Sequence, residues 1–367
     1  MAKTKVMVID DSALIRQMLS NIINAEPDME VVATAGDPYI ARDKIKKFNP
    51  DVLTLDVEMP RMDGLAFLRN VMRLRPMPVI MISALTQKGA DTTLQALEYG
   101  ALDFVCKPQL DISQTFETYS EEIVGKLRMA ARTQVKPLTK YKPPTPSSIN
   151  VPPKYTADAI ISNSPTRKIQ FLKTTDKIIA VGASTGGTEA IKLLLMHMPA
   201  HAPGMVISQH IPATFSSSFA KRMNQLSPMT VAEAEDGKAI LPGHVYIAPG
   251  NFHLLVERDG ARYVCRLNEG TPVNRHRPSV DVLFRSVAQN VGPNSVGVIL
   301  TGMGDDGATG MKEMHEVGAF TIAQDEHTSV VWGMPGEAVK KGGVDKVIPL
   351  QEIPHQLMKL FDRRPTT

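Results

Sequence analysis

Ser184 is a residue of this sequence that could act as a covalent catalyst. It lies in the run V-G-A-S-T-G-G, Val181 to Gly187, where an apolar segment, Ile178 to Val181, gives way to small residues just before a helix-like stretch. Glycines on both sides of the serine allow a sharp strand-to-helix turn, and the helix that follows offers N–H groups suited to an oxyanion. The pattern predicts a nucleophile, which needs a base and an orienting acid.

The base is sought among the nine histidines of the chain. His210 follows the apolar run Met205 to Ser208, so we expect it at the carboxyl end of a strand, on the same edge as Ser184 if the two strands are parallel. The other eight occupy helical, turn or loop contexts that are typical of surface residues: His197, His201, His244, His253, His276, His315, His327 and His355.

The orienting acid has two main candidates, Asp305 and Asp306. They lie in T-G-M-G-D-D-G, directly after the apolar run Val296 to Leu300. Spacing does not choose between them, and one of the two could be a helix N-cap. Asp281 and Asp325 are weaker candidates because neither directly follows an apolar strand. The chain order Ser, His, Asp differs from the Ser, Asp, His order of α/β-hydrolases, which excludes that label.

A second group of polar residues near the N-terminus could hold a cation and accept a phosphoryl group. Asp10 and Asp11 follow one apolar run and Asp56 ends another, while Ser83 and Lys107 stand at the ends of two more. Clustered carboxylates are costly unless a cation neutralises them, and oxygen ligands that leave room for water suit Mg²⁺. The pattern predicts a magnesium-dependent phosphoacceptor site.

Two α/β units must position these groups. Short apolar runs alternate with helical patterns, which predicts parallel sheets whose carboxyl-terminal edges carry the chemistry. In the N-terminal unit the predicted strands are Lys5 to Asp10, Val31 to Ala35, Val52 to Asp56, Val79 to Ser83 and Phe104 to Cys106. Proline, Lys, Ser and Thr dominate residues 133 to about 172, which predicts an extended linker. The predicted division is 1–125, a linker at 126–175, and 176–367.

Composition excludes several classes of protein. The chain has 367 residues, 43% of them hydrophobic, and a net charge of +3 concentrated in the linker. It has no run long enough to span a membrane and no signal-peptide pattern, so a cytoplasmic location without direct membrane insertion is predicted. The small charge gives no reason to expect nucleic-acid binding. Cys106 and Cys265 fall in different predicted units, which argues against a disulfide.

The N-terminal motifs I-D-D-S, L-D-V-E-M-P-R-M-D-G, M-I-S-A and C-K-P resemble the receiver domain of two-component response regulators, in order and in strand position. The resemblance implies a flavodoxin-like five-stranded sheet and phosphorylation of Asp56 by a sensor histidine kinase. It assigns Mg²⁺ to Asp11, Asp56 and the backbone carbonyl of Glu58, with Asp10 acting through water. Ser83, Phe104 and Lys107 would be the switch residues, and Lys107–Pro108 is where receivers carry a cis peptide.

The C-terminal motifs V-G-A-S-T-G-G-T-E, Q-H-I-P, Y-I-A-P-G-N-F-H and T-G-M-G-D-D-G resemble the catalytic domain of chemotaxis protein-glutamate methylesterases, the CheB family. The resemblance implies a doubly wound, mostly parallel α/β domain and assigns Ser184 as nucleophile, His210 as base and Asp306 as acid, which leaves Asp305 a structural role. Backbone N–H groups of Thr185, Gly186 and Met303 are the oxyanion candidates, and the esterase needs no metal.

The two resemblances together imply a phosphorylation-regulated serine hydrolase. Its substrates would be the γ-glutamyl methyl esters of methyl-accepting chemotaxis receptors, with deamidation of receptor glutamines as a related acyl transfer. A receiver that restrains access to Ser184 until Asp56 is phosphorylated would explain the fusion. The alternatives are a DNA-binding output domain, against which the absence of a basic recognition helix argues, and a scaffold that has lost catalysis.

Overall fold

The computed structural model describes residues 3–59, 64–84, 86–107, 116–133, 155–162 and 177–361. The chain divides into two compact units, residues 1–145 and 146–367. Each unit has its own sheet, and each sheet is built from buried apolar strands.

The described part of the first unit holds a five-stranded sheet in which every pairing is parallel. Its order is β2-β1-β3-β4-β5, so the chain reverses direction across the sheet after β2. This order brings the ends of β1 and β3 side by side at the switch point, where ligands bind in such folds. The strands are β1 Thr4–Ile9, β2 Met29–Ala35, β3 Val52–Asp56, β4 Val79–Ser83 and β5 Asp103–Cys106.

Helices connect these strands, and local capping defines where two of them begin. The Ser12 side chain accepts from the Ile15 N–H at the start of the first helix, and Asp37 caps the second, whose first residue is Pro38. Both are typical N-terminal signals because the first turn lacks internal acceptors. The helices of this unit are α1 Ala13–Asn24, α2 Pro38–Phe48, α3 Gly64–Leu74, α4 Gln87–Glu98 and α5 Phe116–Arg132.

The described part of the second unit holds a seven-stranded sheet, also parallel in every pairing. Its order is β14-β13-β12-β6-β7-β9-β8, which confirms the doubly wound prediction because the chain leaves β6 toward both edges. The predicted site-bearing strands are therefore neighbours, with β6 between β7 and β12. The strands are β6 Ile178–Ala183, β7 Gly204–Gln209, β8 Thr230–Glu233, β9 His244–Ile247, β12 Ser295–Ile299, β13 Phe320–Gln324 and β14 Lys346–Ile348.

An antiparallel hairpin, β10 His253–Asp259 with β11 Arg262–Asn268, interrupts this α/β order. It packs with the helix at Val280–Asn290, whose residues are almost all buried, against the apolar core of the second unit. The helices of this unit are α6 Gly187–Met196, α7 Ala213–Leu226, α8 Val280–Asn290, α9 Ala308–Glu316, α10 Met334–Lys340 and α11 Ile353–Phe361. Among the helices described in both units, none has the length and apolar character required to cross a bilayer.

Two described elements fall wholly or partly within the predicted linker, 126–175. Helix α5 continues to Arg132, so the first seven residues assigned to the linker are helical. Residues 155–162 contain a short 3₁₀ turn, Ala157–Ala159, whose first residue is buried within the second unit. Most of the remaining proline-rich sequence lies outside the described residues, as does Pro108 and with it the predicted cis peptide.

Candidate active site

Ser184 lies immediately after β6, in the turn that leads into α6. Its N–H donates to the Thr301 carbonyl at 3.0 Å, and its own carbonyl accepts from the Gly187 N–H at 2.7 Å, which fixes the backbone on both sides of the serine. Gly186, the residue before α6, has φ of +76°, a conformation that favours glycine. The predicted sharp turn is therefore present at Gly186.

Gly182 has a different role from the one its position suggested. It is a strand residue of β6 rather than a bend, and a Cβ there would lie 2.1 Å from Cγ1 of Val280. The absent side chain allows α8 to approach the sheet closely. Gly182, before Ser184, thus allows close packing, whereas Gly186, after it, allows the turn.

His210 lies one residue beyond β7 and joins Ser184 to Asp306. Its Nδ1 is 3.0 Å from the Ser184 Oγ, and its Nε2 is 2.7 Å from Oδ2 of Asp306. Because Asp306 is an acceptor, Nε2 carries the proton, which leaves Nδ1 free of one and able to accept from the serine hydroxyl. The arrangement has the connectivity of a nucleophile, a base and an orienting acid.

Asp306, rather than Asp305, is the carboxylate at this position. It is 2% exposed and accepts hydrogen bonds from a histidine, two backbone N–H groups, a hydroxyl and an amide. Burial alone would raise its pKa, but the hydrogen bond from His210 holds the pKa below the ordinary value. The donors are His210 Nε2, Val280 N, Asp281 N, Ser279 Oγ and Asn274 Nδ2, at 2.7, 2.7, 3.2, 2.8 and 2.7 Å.

The two backbone donors belong to the first turn of α8, so Asp306 lies at the N-terminus of a helix. Such a terminus carries partial positive charge and unpaired N–H groups, both of which stabilise an ionised carboxylate. Asp305 is half-buried, and its carbonyl accepts the Ala308 N–H in the turn before α9. Asp325 binds the Thr328 N–H and hydroxyl in a local turn.

A second buried carboxylate, Asp281, stands beside the first. Its Oδ2 accepts from the same Asn274 amide nitrogen at 2.7 Å, and its Oδ1 accepts from the Gly310 N–H at 2.7 Å. Burial and, after it, the negative charge of Asp306 raise the pKa of Asp281 to about 7. The sequence placed Asp281 among weaker candidates for the acid, and the structure instead makes it a neighbour of that acid.

Two histidines that their sequence context suggested were surface residues lie close to the site. His276 stacks on His210 with ring centroids 3.6 Å apart and an angle of 12° between the rings. His253 is fully buried, and its Nδ1 accepts from the N–H of Ser279 at 3.2 Å. Burial lowers the pKa of His253, which favours the neutral ring that this acceptor role needs. The surface interpretation of His253 was therefore wrong.

The structure also reveals polar groups that the sequence did not single out. Gln209 donates from Nε2 to the carbonyls of Ser184 and His210, at 3.0 and 3.1 Å, and so connects the two turns. Asn274 and Ser279 hold Asp306, as described above. The signal that could have found them is the polar run N-R-H-R-P-S-V-D, residues 274–281, which contains Ser279, the N-cap of α8.

The predicted oxyanion candidates lie near the serine, but their role stays a prediction. Thr185 and Gly186 follow Ser184 directly, and Thr185 accepts through its carbonyl from the Thr301 hydroxyl at 3.0 Å. Met303 is exposed and belongs to the turn after β12. Gly302, next to it, comes close to the serine: a Cβ there would lie 2.8 Å from the Ser184 Cβ.

In the first unit, the three predicted metal-binding carboxylates converge. One oxygen from each of Asp10, Asp11 and Asp56 lies within 4.8 Å of the others. Asp10 and Asp56 are buried, and the Lys107 Nζ lies 3.0 and 2.8 Å from their carboxylate oxygens. Burial is the largest influence on Asp56 and raises its pKa to about 6, against the opposing effect of Lys107. Hard oxygen donors in this cluster fit Mg²⁺.

The remaining predicted receiver residues surround this cluster. The Glu58 N–H donates to Oδ1 of Asp56 at 3.4 Å, and the Glu58 side chain is exposed. Ser83 is buried and accepts from the Thr93 hydroxyl at 2.8 Å. Phe104 is buried in β5 with the Lys126 Nζ 5.4 Å from its ring centroid. All the receiver residues predicted from the sequence therefore lie at the predicted sheet edge or beside it.

Comparison with known proteins gives a family for each unit. A family model described as CheB methylesterase matches residues 179–357, and one described as response regulator receiver domain matches residues 6–117. A protein-glutamate methylesterase/protein-glutamine glutaminase 1 from Xanthomonas campestris is 57% identical over 97% of this chain and 97% of its own. A protein-glutamate methylesterase/protein-glutamine glutaminase from Hydrogenovibrio crunogenus is 55% identical over 99% and 100%. The crystal structure of the Thermotoga maritima CheB methylesterase catalytic domain is 37% identical, covers 51% of this chain and 100% of that one, and has a TM-score of 0.50.

Proposed function

The chain belongs to the CheB methylesterase family and carries a response-regulator receiver domain, and on that premise we propose that it hydrolyses γ-glutamyl methyl esters of methyl-accepting chemotaxis receptors. The observation that supports this most is the hydrogen-bonded chain from Ser184 through His210 to Asp306. A DNA-binding or scaffold output is not favoured.

In the proposed acylation step, the Ser184 Oγ attacks the ester carbonyl carbon. His210 accepts the serine proton at Nδ1, and the imidazolium that forms is stabilised by Asp306, which receives the Nε2–H bond. The tetrahedral intermediate collapses when the C–O bond to the methoxy group breaks. His210 returns the proton to that oxygen, and methanol leaves.

In the proposed deacylation step, water replaces methanol. His210 takes a proton from the water as it attacks the acyl-enzyme carbonyl, and gives it back to the Ser184 Oγ when the acyl bond breaks. The product is a receptor glutamate. A glutamine side chain would follow the same route with ammonia as the leaving group, which accounts for a glutaminase activity in the same site.

Negative charge on the carbonyl oxygen must be stabilised in both steps. We assign this to backbone N–H groups of Thr185, Gly186 or Met303, in the Gly-rich turns around the serine. Each such donor is typically worth about 3 to 4 kcal/mol in the transition state. None of these steps uses a metal ion.

The receiver would supply the regulation. Asp56 is the proposed acceptor of a phosphoryl group from a chemotaxis sensor histidine kinase: an Asp56 oxygen forms the new bond to phosphorus as the bond to the kinase breaks. Asp11, Asp56 and the Glu58 carbonyl would hold Mg²⁺, with Asp10 acting through water. The bound ion would neutralise phosphoryl charge. Lys107 pairs with Asp56 at 2.8 Å and would contact the phosphoryl oxygens.

Ser83 and Phe104 would respond to the phosphoryl group, and the receiver would release its restraint on the esterase. The proposed functional division is a receiver at 1–125 and a catalytic unit that includes residues 176–367. Because the methylated part of such receptors is cytoplasmic, the proposed location is the cytoplasm.

Methanol release from methylated receptor membranes tests the proposal. The proteins compared are the intact chain, Ser184→Ala and, as a matched control, Ser217→Ala, a half-exposed serine of α7. Each is measured with and without a small phosphodonor. We expect methanol release to be lost in Ser184→Ala alone and to be stimulated by the phosphodonor in the other two. Release that survives in Ser184→Ala would contradict the assignment of the nucleophile.

A further inference from the structure

A part of the linker, residues 155–162, is docked on the catalytic unit; we call it the docking segment. Its side chains fill a defined apolar site: Ala157, Ile160 and Ile161 pack with Leu255, Val273 and Val282. Gly270 makes room for one of them, since a Cβ there would lie 2.3 Å from Cδ1 of Ile160. A segment that served only as a flexible tether would not need a fitted site of this kind.

Polar contacts with α8 hold the docking segment from the other side. Arg285, whose side chain is 3% exposed, donates from Nη1 to Asp158 Oδ1 at 2.7 Å and to the Ile161 carbonyl at 3.1 Å. Its remaining nitrogens bind the Glu313 carboxylate. Gln289 donates to the Ser162 carbonyl at 3.2 Å. A buried guanidinium is costly without acceptors, so removing the docking segment would leave Arg285 short of two of them.

The docking segment also contacts the loop that holds the triad carboxylate. The Asn274 N–H donates to the Tyr155 carbonyl at 2.9 Å. Asn274 and Arg275 are the two central residues of a tight turn closed by Val273 and His276, with φ of +50° and +70°, which is the backbone pattern of a type I′ turn. The Asn274 amide bonds both Asp281 and Asp306, and His276 of the same turn stacks on His210.

We infer that the docking segment is a positioning element of the esterase, which holds the Asn274 turn and through it orients Asp306 and His210. The inference rests on the proposed function. It follows that the catalytic unit begins near residue 155 rather than at 176. The docking segment further lines a cavity of ≈ 290 Å³ together with Asn274 and Asp281, so its displacement would expose both to water.

Two aspartate substitutions within the docking segment test the inference in the full chain. Ile160→Asp places a carboxylate in the apolar site, whereas Ala159→Asp adds the same charge one residue away, at an exposed position. The readout is the rate of Ser184 labelling by a serine-directed phosphonate across a pH series, with saturating phosphodonor present throughout. The pH profile also depends on the charged or titratable groups around Ser184 and His210. These are Asp306, His276 and Asp281, with Lys341 acting on Asp281.

We expect the plateau labelling rate of Ile160→Asp to fall about tenfold and its pH profile to shift to lower pH, because a less well-oriented Asp306 stabilises the His210 imidazolium less. Ala159→Asp should match the native chain. If Ile160→Asp does not fold, Asp158→Ala, which changes an exposed side chain paired with Arg285, should give about a threefold fall with a shift in the same direction.

Three results would overturn the inference: an unchanged rate, a slower rate with an unshifted profile, or a lower melting temperature as the only effect. Labelling of the native chain that does not depend on Ser184 would remove the proposed function itself, and with it the inference. The Ser184→Ala control separates that failure from the others.

Discussion

Replacement of Asp306 by asparagine should abolish the general base without removing a side chain. The carboxylate offers acceptors to every donor around it, whereas an amide has one oxygen and one NH₂ group. Its oxygen is best placed toward Ser279, Asn274 and the Asp281 N–H, which all bind Oδ1. The NH₂ group then faces the His210 Nε2 and the Val280 N–H, which bind Oδ2.

An NH₂ group can only donate to Nε2, which moves the ring proton to Nδ1. A protonated Nδ1 cannot accept from the Ser184 hydroxyl. The corresponding tautomer error in a Ser-His-Asp protease lowers kcat by ~10⁴-fold, about 5 kcal/mol of transition-state stabilisation at 1.36 kcal/mol per factor of ten. The buried Val280 N–H also loses its acceptor, which should lower the free energy of unfolding by about 2 kcal/mol.

Methanol release at saturating phosphodonor measures the first effect, and urea denaturation of the same protein measures the second. Asp305→Asn is the matched control, because it makes the identical change one residue away at a half-buried side chain outside the hydrogen-bonded chain. We expect it to retain native activity. Asp306→Asn activity within tenfold of native would refute the tautomer argument, and equal losses in both variants would refute the choice of Asp306.

Three further predictions concern regulation, pH and packing. Asp56→Asn should keep unstimulated methanol release and lose its response to phosphodonor, since the acceptor oxygen is absent; a retained response would point to another acceptor. The Asp281 pKa is raised when folded, so its contribution to stability is full below its ordinary pKa of 3.8 and is lost as pH rises through about 7. Asp281→Asn should therefore flatten the pH dependence of the unfolding free energy between these values, and an unchanged slope in urea denaturation would disprove this. Gly182→Ala should lower the unfolding free energy by about 1 to 3 kcal/mol because its Cβ would overlap Val280. Gly260→Ala is the control: a Cβ there meets nothing within 4 Å, so this variant measures only the cost of the backbone φ of +58°. Equal destabilisation of the two variants would count against the overlap.

The strand ends could be predicted because the spacing of apolar residues and the polar residues that follow them are local properties of the chain. Val52–Asp56 and Val79–Ser83 were placed at their observed bounds, and Ser184 and His210 each follow the expected strand. Parallel strands then bring their carboxyl ends to one edge without further information. The sequence alone therefore predicts the location of both candidate sites.

The groups that surround Asp306 could not be predicted, because they come from an irregular loop. Asn274 and His276 reach the site through a two-residue turn with positive φ, and nothing in their spacing indicates which strand end they will face. The same holds for the docking segment. Its pair of isoleucines is too short to show a helical or strand period, and only the shape of the site near Gly270 shows that Ile160 packs there.

The neighbouring positions of β7, β6 and β12 have a consequence for the order in which the active site forms during folding. The Ser184 to His210 contact spans 26 residues, but the His210 to Asp306 contact spans 96. Contacts between distant residues form late, since the chain entropy of closing the loop must be overcome first. On the ribosome, Ser184 and His210 emerge well before the acid that orients them. We therefore expect esterase activity during refolding to recover only after β12 has paired with β6, later than the pairing of β7 with β6.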